Sequence, residues 1–328
     1  MSLLRVLTRL SQPDLVSIAE LSPTEVQGIL ELAALVKGRP EEFHSALAGK
    51  QLVLLFEKAS LRTRVTFEVG MGELGGRTLF IDQTDSRLDA REKLCDIARN
   101  LERWVDGIVL RTFAHQTVVE MAAHASIPVI NGLSDREHPC QALGDYFTLQ
   151  EKFSDVRRVK LAYVGDGNNV AHSLLLTAAL LGGCLCVATP PGYEPAADIV
   201  RTAQEITART GARLEFTHDG RAAVAGADAV YTDVWASMGQ EAEAEERRRV
   251  FAPYQVNEEL LARAAPHAVF LHCLPAHRGE EVSDAVMDSP RSLVYDQAEN
   301  RLHVQKAILL LLLGNGLRRA DRTGSARG

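Results

Sequence analysis

Short apolar runs alternate along the chain with stretches of helical period, the pattern of parallel α/β architecture. Residues 51–56, 78–81, 108–110 and 128–130 read as four strands of one sheet. After the first of them, Phe67, Met71 and Leu74 make an apolar stripe of helical spacing that Gly75-Gly76 ends. Ser22-Pro23-Thr24-Glu25 carries the chemistry of a helix start, with Ser22 as N-cap, Pro23 at N1 and Glu25 at N3. That helix continues through Val26, Ile29, Leu30 and Leu32 to about Lys37. Residues 137–152 are helical and run into polar Lys152-Phe153-Ser154-Asp155, where the chain changes domain. A second series follows, with strands at 160–164, 184–188, 229–232 and 268–272 and a helix at 169–181. The last helix, about 298–313, is long enough to pack back on the first domain.

The expected fold is therefore α/β with two domains, each a mostly parallel sheet flanked by helices, and with the C-terminal helix packed on the first. A length of 328 residues suits that division better than one core. The boundaries read as 1–150 plus the helix at 298–316, then 151–297. The tail 317–328 is expected to be disordered, since from Arg318 it holds four arginines, two glycines and almost nothing apolar. The start, MSLLRVLTRLSQP, sets Arg5 and Arg9 among leucines like a transit peptide but lacks a small-residue cleavage pattern, and it reads as a helical or frayed start. The run 307–313 is too short for a bilayer, which takes about 20 residues. Residues 241–249, four glutamates and then three arginines, read as a solvated helix with i,i+4 pairs.

Net charge is −7, so no basic field covers the molecule and nucleic acid is not an expected partner. An anionic ligand must instead be caught by a local cluster of cations. Five cysteines (Cys95, Cys140, Cys184, Cys186, Cys273) make an odd count without the spacing of a disulfide framework or a zinc site. Free thiols in a reducing cytoplasm are the expectation, with no metal and no cofactor.

Five segments can carry chemistry. Ser60-Leu61-Arg62-Thr63-Arg64 lies where a strand ends and a helix begins; backbone N–H groups, two hydroxyls and an arginine fork suit an oxyanion there. A plain capped helix with surface arginines is the alternative. His138 and Gln141 sit at i and i+3, one helix face, and can point at one ligand; taken alone, a capped helix with a stray histidine is the commoner case. Gly165-Asp166-Gly167-Asn168-Asn169 invites a dinucleotide reading, but Val170 stands where G-x-G-x-x-G needs its third glycine. What remains is a tight turn whose asparagine can hold a polar group. Asp233 with Ser237-Met238-Gly239 suits an ammonium held by a mobile loop. His272-Cys273-Leu274-Pro275 puts a cysteine at a strand end, where it is either an inert thiol or, with His272 and His277, an incomplete zinc set.

In this order and spacing, S-x-R-T-R, H-P-x-Q, D-x-x-x-S-M-G and H-C-L-P resemble the aspartate/ornithine carbamoyltransferase family from about Leu15 to Leu313. Each motif is modest alone; four together are specific. The S-M-G loop and Cys273 look like the ornithine-specific forms. The resemblance implies transfer of a carbamoyl group from carbamoyl phosphate to L-ornithine, giving L-citrulline and phosphate, in arginine metabolism. An acceptor such as putrescine or an acylated ornithine is the alternative.

Residue by residue, the resemblance implies that Ser60, Leu61 (by its N–H), Arg62 and Thr63 hold the phosphate, with Arg301 after the A-E-N string. It puts Arg111 across phosphate and carbonyl oxygen, His138 and Gln141 on the carbamoyl oxygen and amide, and Cys273 and Leu274 beside the reacting amine. Asn169, Asp233, Ser237 and Met238 match the ornithine positions, and Arg111, His138, Asp233 and Cys273 are the catalytic set. Two departures stand out: Leu61 replaces a frequent threonine, and Asp89 a usual glycine. Arg87 aligns with the polar residue that completes a neighbouring subunit's phosphate site, which implies a homotrimer or a multiple of it. A binding module without turnover is disfavoured because the catalytic set is intact, and a Rossmann oxidoreductase because of Val170.

Overall fold

The computed structural model describes residues 7–83, 88–90, 92–236 and 243–314. Helix α1 (Pro23–Gly38) opens with the capping box its sequence spells out: the Ser22 hydroxyl accepts the Glu25 N–H at 3.2 Å, and the Glu25 carboxylate accepts the Ser22 N–H at 2.8 Å. Ser22→Ala should cost about 1 kcal/mol and lower the melting temperature by about 2 °C. An unchanged melt would mean that Glu25, which also accepts the Ser11 N–H, caps the helix without the hydroxyl.

The first half continues as β1 (Gln51–Phe56), α2 (Leu61–Glu73), β2 (Arg77–Asp82), α3 (Leu94–Leu101), β3 (Gly107–Arg111), α4 (His115–His124), β4 (Val129–Leu133) and α5 (Pro139–Phe153). Its four strands pair in parallel in the order β2-β1-β3-β4. The second half runs β5 (Lys160–Val164), α6 (Asn169–Leu181), β6 (Cys184–Ala188), α7 (Ala197–Thr210), β7 (Arg213–Thr217), α8 (Gly220–Val224), β8 (Ala229–Thr232), α9 (Ala244–Phe251), α10 (Glu258–Leu261), β9 (Val269–His272) and α11 (Asp284–Met287). Here the parallel order is β7-β6-β5-β8-β9. Helix α12 (Val294–Leu313) then returns to pack on α1, α2 and α5.

One continuous apolar core joins the two sheets through α1, α5, α6 and α12, and a smaller core covers the outer face of each sheet. Helices α5 and α6 are buried almost all round; α6 is therefore apolar on nearly every face, while α5 also takes polar Gln141, Asp145 and Thr148 into the interior.

Several expectations need correction. The described residues 7–14 are irregular rather than helical, and Leu15 then docks beside β4, its N–H donating to Val129 O at 2.9 Å. Strand β7 and helices α3, α4 and α7 went unread. In β7 the cause is physical: it is a sheet edge with mostly exposed side chains, so Arg213-Leu-Glu-Phe-Thr carries no apolar run. Helix α12 begins at Val294, not 298. Within the run 241–249 a helix does form, but Arg247 is buried rather than solvated.

Strand order also locates the crevices. In the first sheet the chain leaves β1 on one side to β2 and returns on the other as β3; in the second it leaves β5 to β6 and returns as β8. Ligands in open parallel sheets bind at the carboxyl ends of strands beside such reversals. Both reversals open onto one cleft.

Candidate active site

The cleft holds a cavity of about 380 Å³, within the usual range for small-molecule sites. From the end of β1, Ser60 caps α2, its hydroxyl accepting the Thr63 N–H at 3.2 Å. The early N–H groups of α2 and its positive dipole end thereby face the cavity. Leu61 borders the rim with a side chain 74% exposed, while Arg62 and Thr63 line the wall. Arg111 ends β3 and is buried; Arg301 reaches in from α12, donating to Thr63 Oγ1 at 2.8 Å. Three arginines thus crowd one apolar pocket. Burial, then the charges of Arg301 and Arg62, push the Arg111 guanidinium down to about 9. Burial lowers Arg62 and Arg301 as well.

His138 stands just ahead of α5, its backbone N–H held by Ser173 Oγ at 2.8 Å. Burial and the three arginines hold its imidazole well below the usual range, so it is neutral. Gln141, in the first turn of α5, donates from Nε2 to Asp145 Oδ1 at 2.7 Å. Arg111 Nε, Arg301 Nε, His138 Nδ1 and Gln141 Oε1 are all buried without a hydrogen-bond partner. Orphaned polar atoms in a protein interior are costly, and four on residues lining one cavity point to a polar ligand there.

The other wall comes from the second sheet. Asp233 follows β8; its Oδ2 accepts from Asn168 Nδ2 at 2.8 Å and its Oδ1 from the Cys273 thiol at 2.9 Å. Burial, and next the Asp233 charge, push Cys273 well above the thiol range, so it is a thiol and not a thiolate. Asn169 opens α6 beside the cavity and donates to Ser134 O at 2.6 Å. The turn after β9 carries Leu274 at φ 59° and a cis Leu274–Pro275 bond. Leu274 N–H donates to His272 Nδ1 at 2.8 Å, and His272 Nε2 meets Glu281 Oε1 at 3.0 Å. Glu281 also accepts the His277 N–H at 2.6 Å.

Of the residues nominated from sequence, Ser60, Leu61, Arg62, Thr63, Arg111, His138, Gln141, Asn169, Asp233, Cys273, Leu274 and Arg301 all border this cavity. Ser237, Met238 and Arg87 lie outside the described residues. The zinc set suggested by His272, Cys273 and His277 is not one cluster: the close groups are Asp233–His272–Cys273 and His277–Glu280–Glu281. Both His272 nitrogens are already engaged, which leaves it no lone pair for an ion. Lys58, given no role from sequence, and His277, raised only as a zinc ligand, also line the cavity. Lys58 had a signal, a cation two residues before the capped helix, and its ammonium lies 4.7 Å from the Phe113 ring centre. Asn168, the residue that grips Asp233, had only its place in the turn. Arg247 donates to Asp166 at 3.0 Å and to Trp235 O at 2.9 Å, bracing the strand ends below the loop.

Arginines on the side of one sheet face a carboxylate and a thiol on the side of the other across one cleft, an arrangement that can hold two ligands side by side in a two-domain α/β protein. Residues 13–151 match the carbamoyl-P binding domain of aspartate/ornithine carbamoyltransferase, and 157–312 match its Asp/Orn binding domain. An ornithine carbamoyltransferase of Pyrococcus abyssi is 53% identical over 306 residues, 92% of this chain and 96% of that protein. One of Pyrococcus furiosus, described as anabolic, is 52% identical with the same coverage. The solved structure of the Pyrococcus furiosus enzyme superimposes with a TM-score of 0.89 at 51% identity, over 92% of this chain and 97% of that one. That from Thermus thermophilus gives 0.83 at 48% identity, over 92% and 99%. The chain belongs to the aspartate/ornithine carbamoyltransferase family.

Proposed function

We propose that the protein transfers the carbamoyl group of carbamoyl phosphate to the side-chain amine of L-ornithine, forming L-citrulline and phosphate in arginine metabolism. The observation that carries this reading is the set of four orphaned polar atoms on one side of the cavity, opposite Asp233 and Cys273. Relatives about half identical bear the name of that enzyme, which supports ornithine over putrescine or an acylated ornithine.

In this reading the phosphate rests on the α2 N-terminus, held by Ser60, the Leu61 N–H, Arg62 and Thr63, with Arg301 behind. The neutral amine attacks the carbonyl carbon; the new C–N bond forms, the C–O bond to phosphate breaks, and the amine's proton leaves with the phosphate. Negative charge grows on the carbonyl oxygen and on the leaving group. Arg111 spans both, and neutral His138 donates to the carbonyl oxygen. Gln141 Oε1 accepts from the carbamoyl NH₂. Asn169 and Asp233 take the amino-acid end of ornithine together with Ser237 and Met238, while Cys273 and Leu274 orient the attacking amine. A protonated Cys273 suits hydrogen bonding and not covalent catalysis. Holding both substrates in one cleft supplies proximity and excludes the water that would hydrolyse carbamoyl phosphate.

The division into two halves near 150/151, with the C-terminal helix assigned to the carbamoyl phosphate half, is supported by the second sheet opening at Lys160 and by α12 packing on α1, α2 and α5. The boundary itself falls inside α5, which runs to Phe153, and residues 315–316 lie outside the described residues. We also read the protein as a homotrimer or a multiple of it. The support is exposed apolar surface on the first domain: Leu79 and Ile81 on edge strand β2, and Val65 and Val69 on the face of α2 that carries Leu61. Arg87 would there complete the neighbour's phosphate site. A cytoplasmic setting is supported by free cysteines. Among the described residues no helix is long and apolar enough to cross a membrane.

The test is citrulline formation by purified protein, with putrescine and N-acetylornithine as rival acceptors. Ornithine should be preferred by roughly a hundredfold or more, the discrimination a paired charged group provides. Faster carbamoylation of either rival would overturn the acceptor while keeping the reaction class.

A further inference from the structure

Behind the cavity wall lies a buried chain of amides and carboxylate that the reaction above does not use. The backbone N–H of His272 donates to Gln297 Oε1 at 2.9 Å. That bond leaves Gln297 Nε2 to donate to Asp145 Oδ1 at 2.6 Å and to the Tyr231 hydroxyl at 3.2 Å. Asp145 Oδ1 in turn accepts from Gln141 Nε2 at 2.7 Å. Asp145, Gln297, Tyr231 and His272 are wholly buried, and each comes from a different element: α5, α12, β8 and the end of β9.

The direction of these bonds is forced. A backbone N–H can only donate, so it sets which end of Gln297 faces Asp145. Burial pushes the Asp145 carboxyl up to about 7; above that pH it is a carboxylate that accepts from both amides, and so it sets which end of Gln141 faces away from it. The end left over is Gln141 Oε1, buried and unpartnered, on a side chain that lines the cavity.

We infer that Asp145, steadied by Gln297, is a positioning residue that aims the Gln141 carbonyl oxygen at the carbamoyl NH₂ and ties that aim to the His272–Leu274 turn on the ornithine side. The inference rests on the proposed reaction. Without Asp145 the Gln141 amide would turn freely, and half of its orientations would present NH₂ to NH₂. The effect should fall on turnover rather than on ornithine binding.

A double-mutant cycle tests it. Asp145→Leu should lower kcat by roughly tenfold to a hundredfold while the KM for ornithine moves less than about threefold, the signature of a transition-state contact. Asp145→Asn, whose carbonyl oxygen can still accept both amides, should stay within about threefold of wild type. In a Gln141→Ala background Asp145→Leu should add less than about twofold, because there is no amide left to aim. An active Asp145→Leu enzyme, or an equal loss in both backgrounds, overturns the role. If Asp145→Leu does not fold, Gln297→Met takes its place in the cycle and should lose several-fold in kcat only when Gln141 is present; no such dependence overturns the role too. Wild-type protein that makes no citrulline would instead sink the proposed reaction, so the two failures are distinguishable.

Discussion

Replacing Arg111 by methionine should destroy turnover and make the unliganded protein more stable. The guanidinium is buried, has an unpartnered Nε, and shares its pocket with Arg62 and Arg301. Its folded pKa, about 9, lies well below the ordinary guanidinium value. For a base, that sign means the folded state resists the charge. The penalty is present in full below about pH 9 and is relieved only as pH climbs toward the unfolded value. At neutral pH the empty protein therefore carries the whole cost, which a bound phosphate would offset. Methionine fills similar volume without charge, so the melting temperature should rise by at least about 2 °C, the equivalent of roughly 1 kcal/mol. Activity should move the other way, with kcat/KM falling by about a thousandfold or more, since the lost donor faces charge that develops in the transition state. Inorganic phosphate should raise the wild-type melt clearly and the variant's far less. A variant that melts lower would overturn the stability half of this account, and one that retains more than about a tenth of wild-type kcat/KM would overturn the catalytic half.

What was legible in the sequence divides along physical lines. Strands β1, β5 and β6 could be bounded to the residue because they are central, buried on both faces, and therefore written as unbroken apolar runs. Edge strand β7 was invisible for the opposite reason. The capping box at Ser22 was readable because its two partners are three residues apart. Arg247 was misread as a surface charge because Asp166 lies 81 residues away, and the Asp145–Gln297 contact spans 152. Motif order brought Ser60, Arg62, Arg111, His138, Gln141, Asp233 and Cys273 into one set, and all of them line one cavity. Lys58 and Asn168 escaped, since neither belongs to a string distinctive enough to single out. Local chemistry is written locally, whereas a partner brought in by the fold leaves no mark beside the residue that needs it.

The same geometry makes Asp233→Asn the sharpest probe of the other wall. Asparagine keeps the shape but removes the only negative charge that meets both Asn168 and the Cys273 thiol among the described residues. If Asp233 receives the ammonium of ornithine, the KM for ornithine should rise by about a hundredfold or more, because the loss of a buried charged hydrogen bond costs about 3 kcal/mol or more. Carbamoyl phosphate should bind at least as well as before: the Asp233 charge is one of the influences that favour ionised Arg62, but it also repels an incoming phosphate. The thiol supplies a second readout that owes nothing to turnover. Burial raises the Cys273 pKa most, and the Asp233 charge comes next. Removing that charge should therefore lower the pKa and speed alkylation of Cys273 by iodoacetamide at about pH 8, where the thiolate fraction sets the rate. Mass spectrometry of the alkylated peptide separates Cys273 from the other four cysteines. Unchanged ornithine affinity would remove Asp233 from the acceptor site, and unchanged alkylation would remove it from the electrostatics of the thiol. A loss in carbamoyl phosphate binding instead would mean that Asp233 serves the arginine side of the cleft, by holding Arg62 in place.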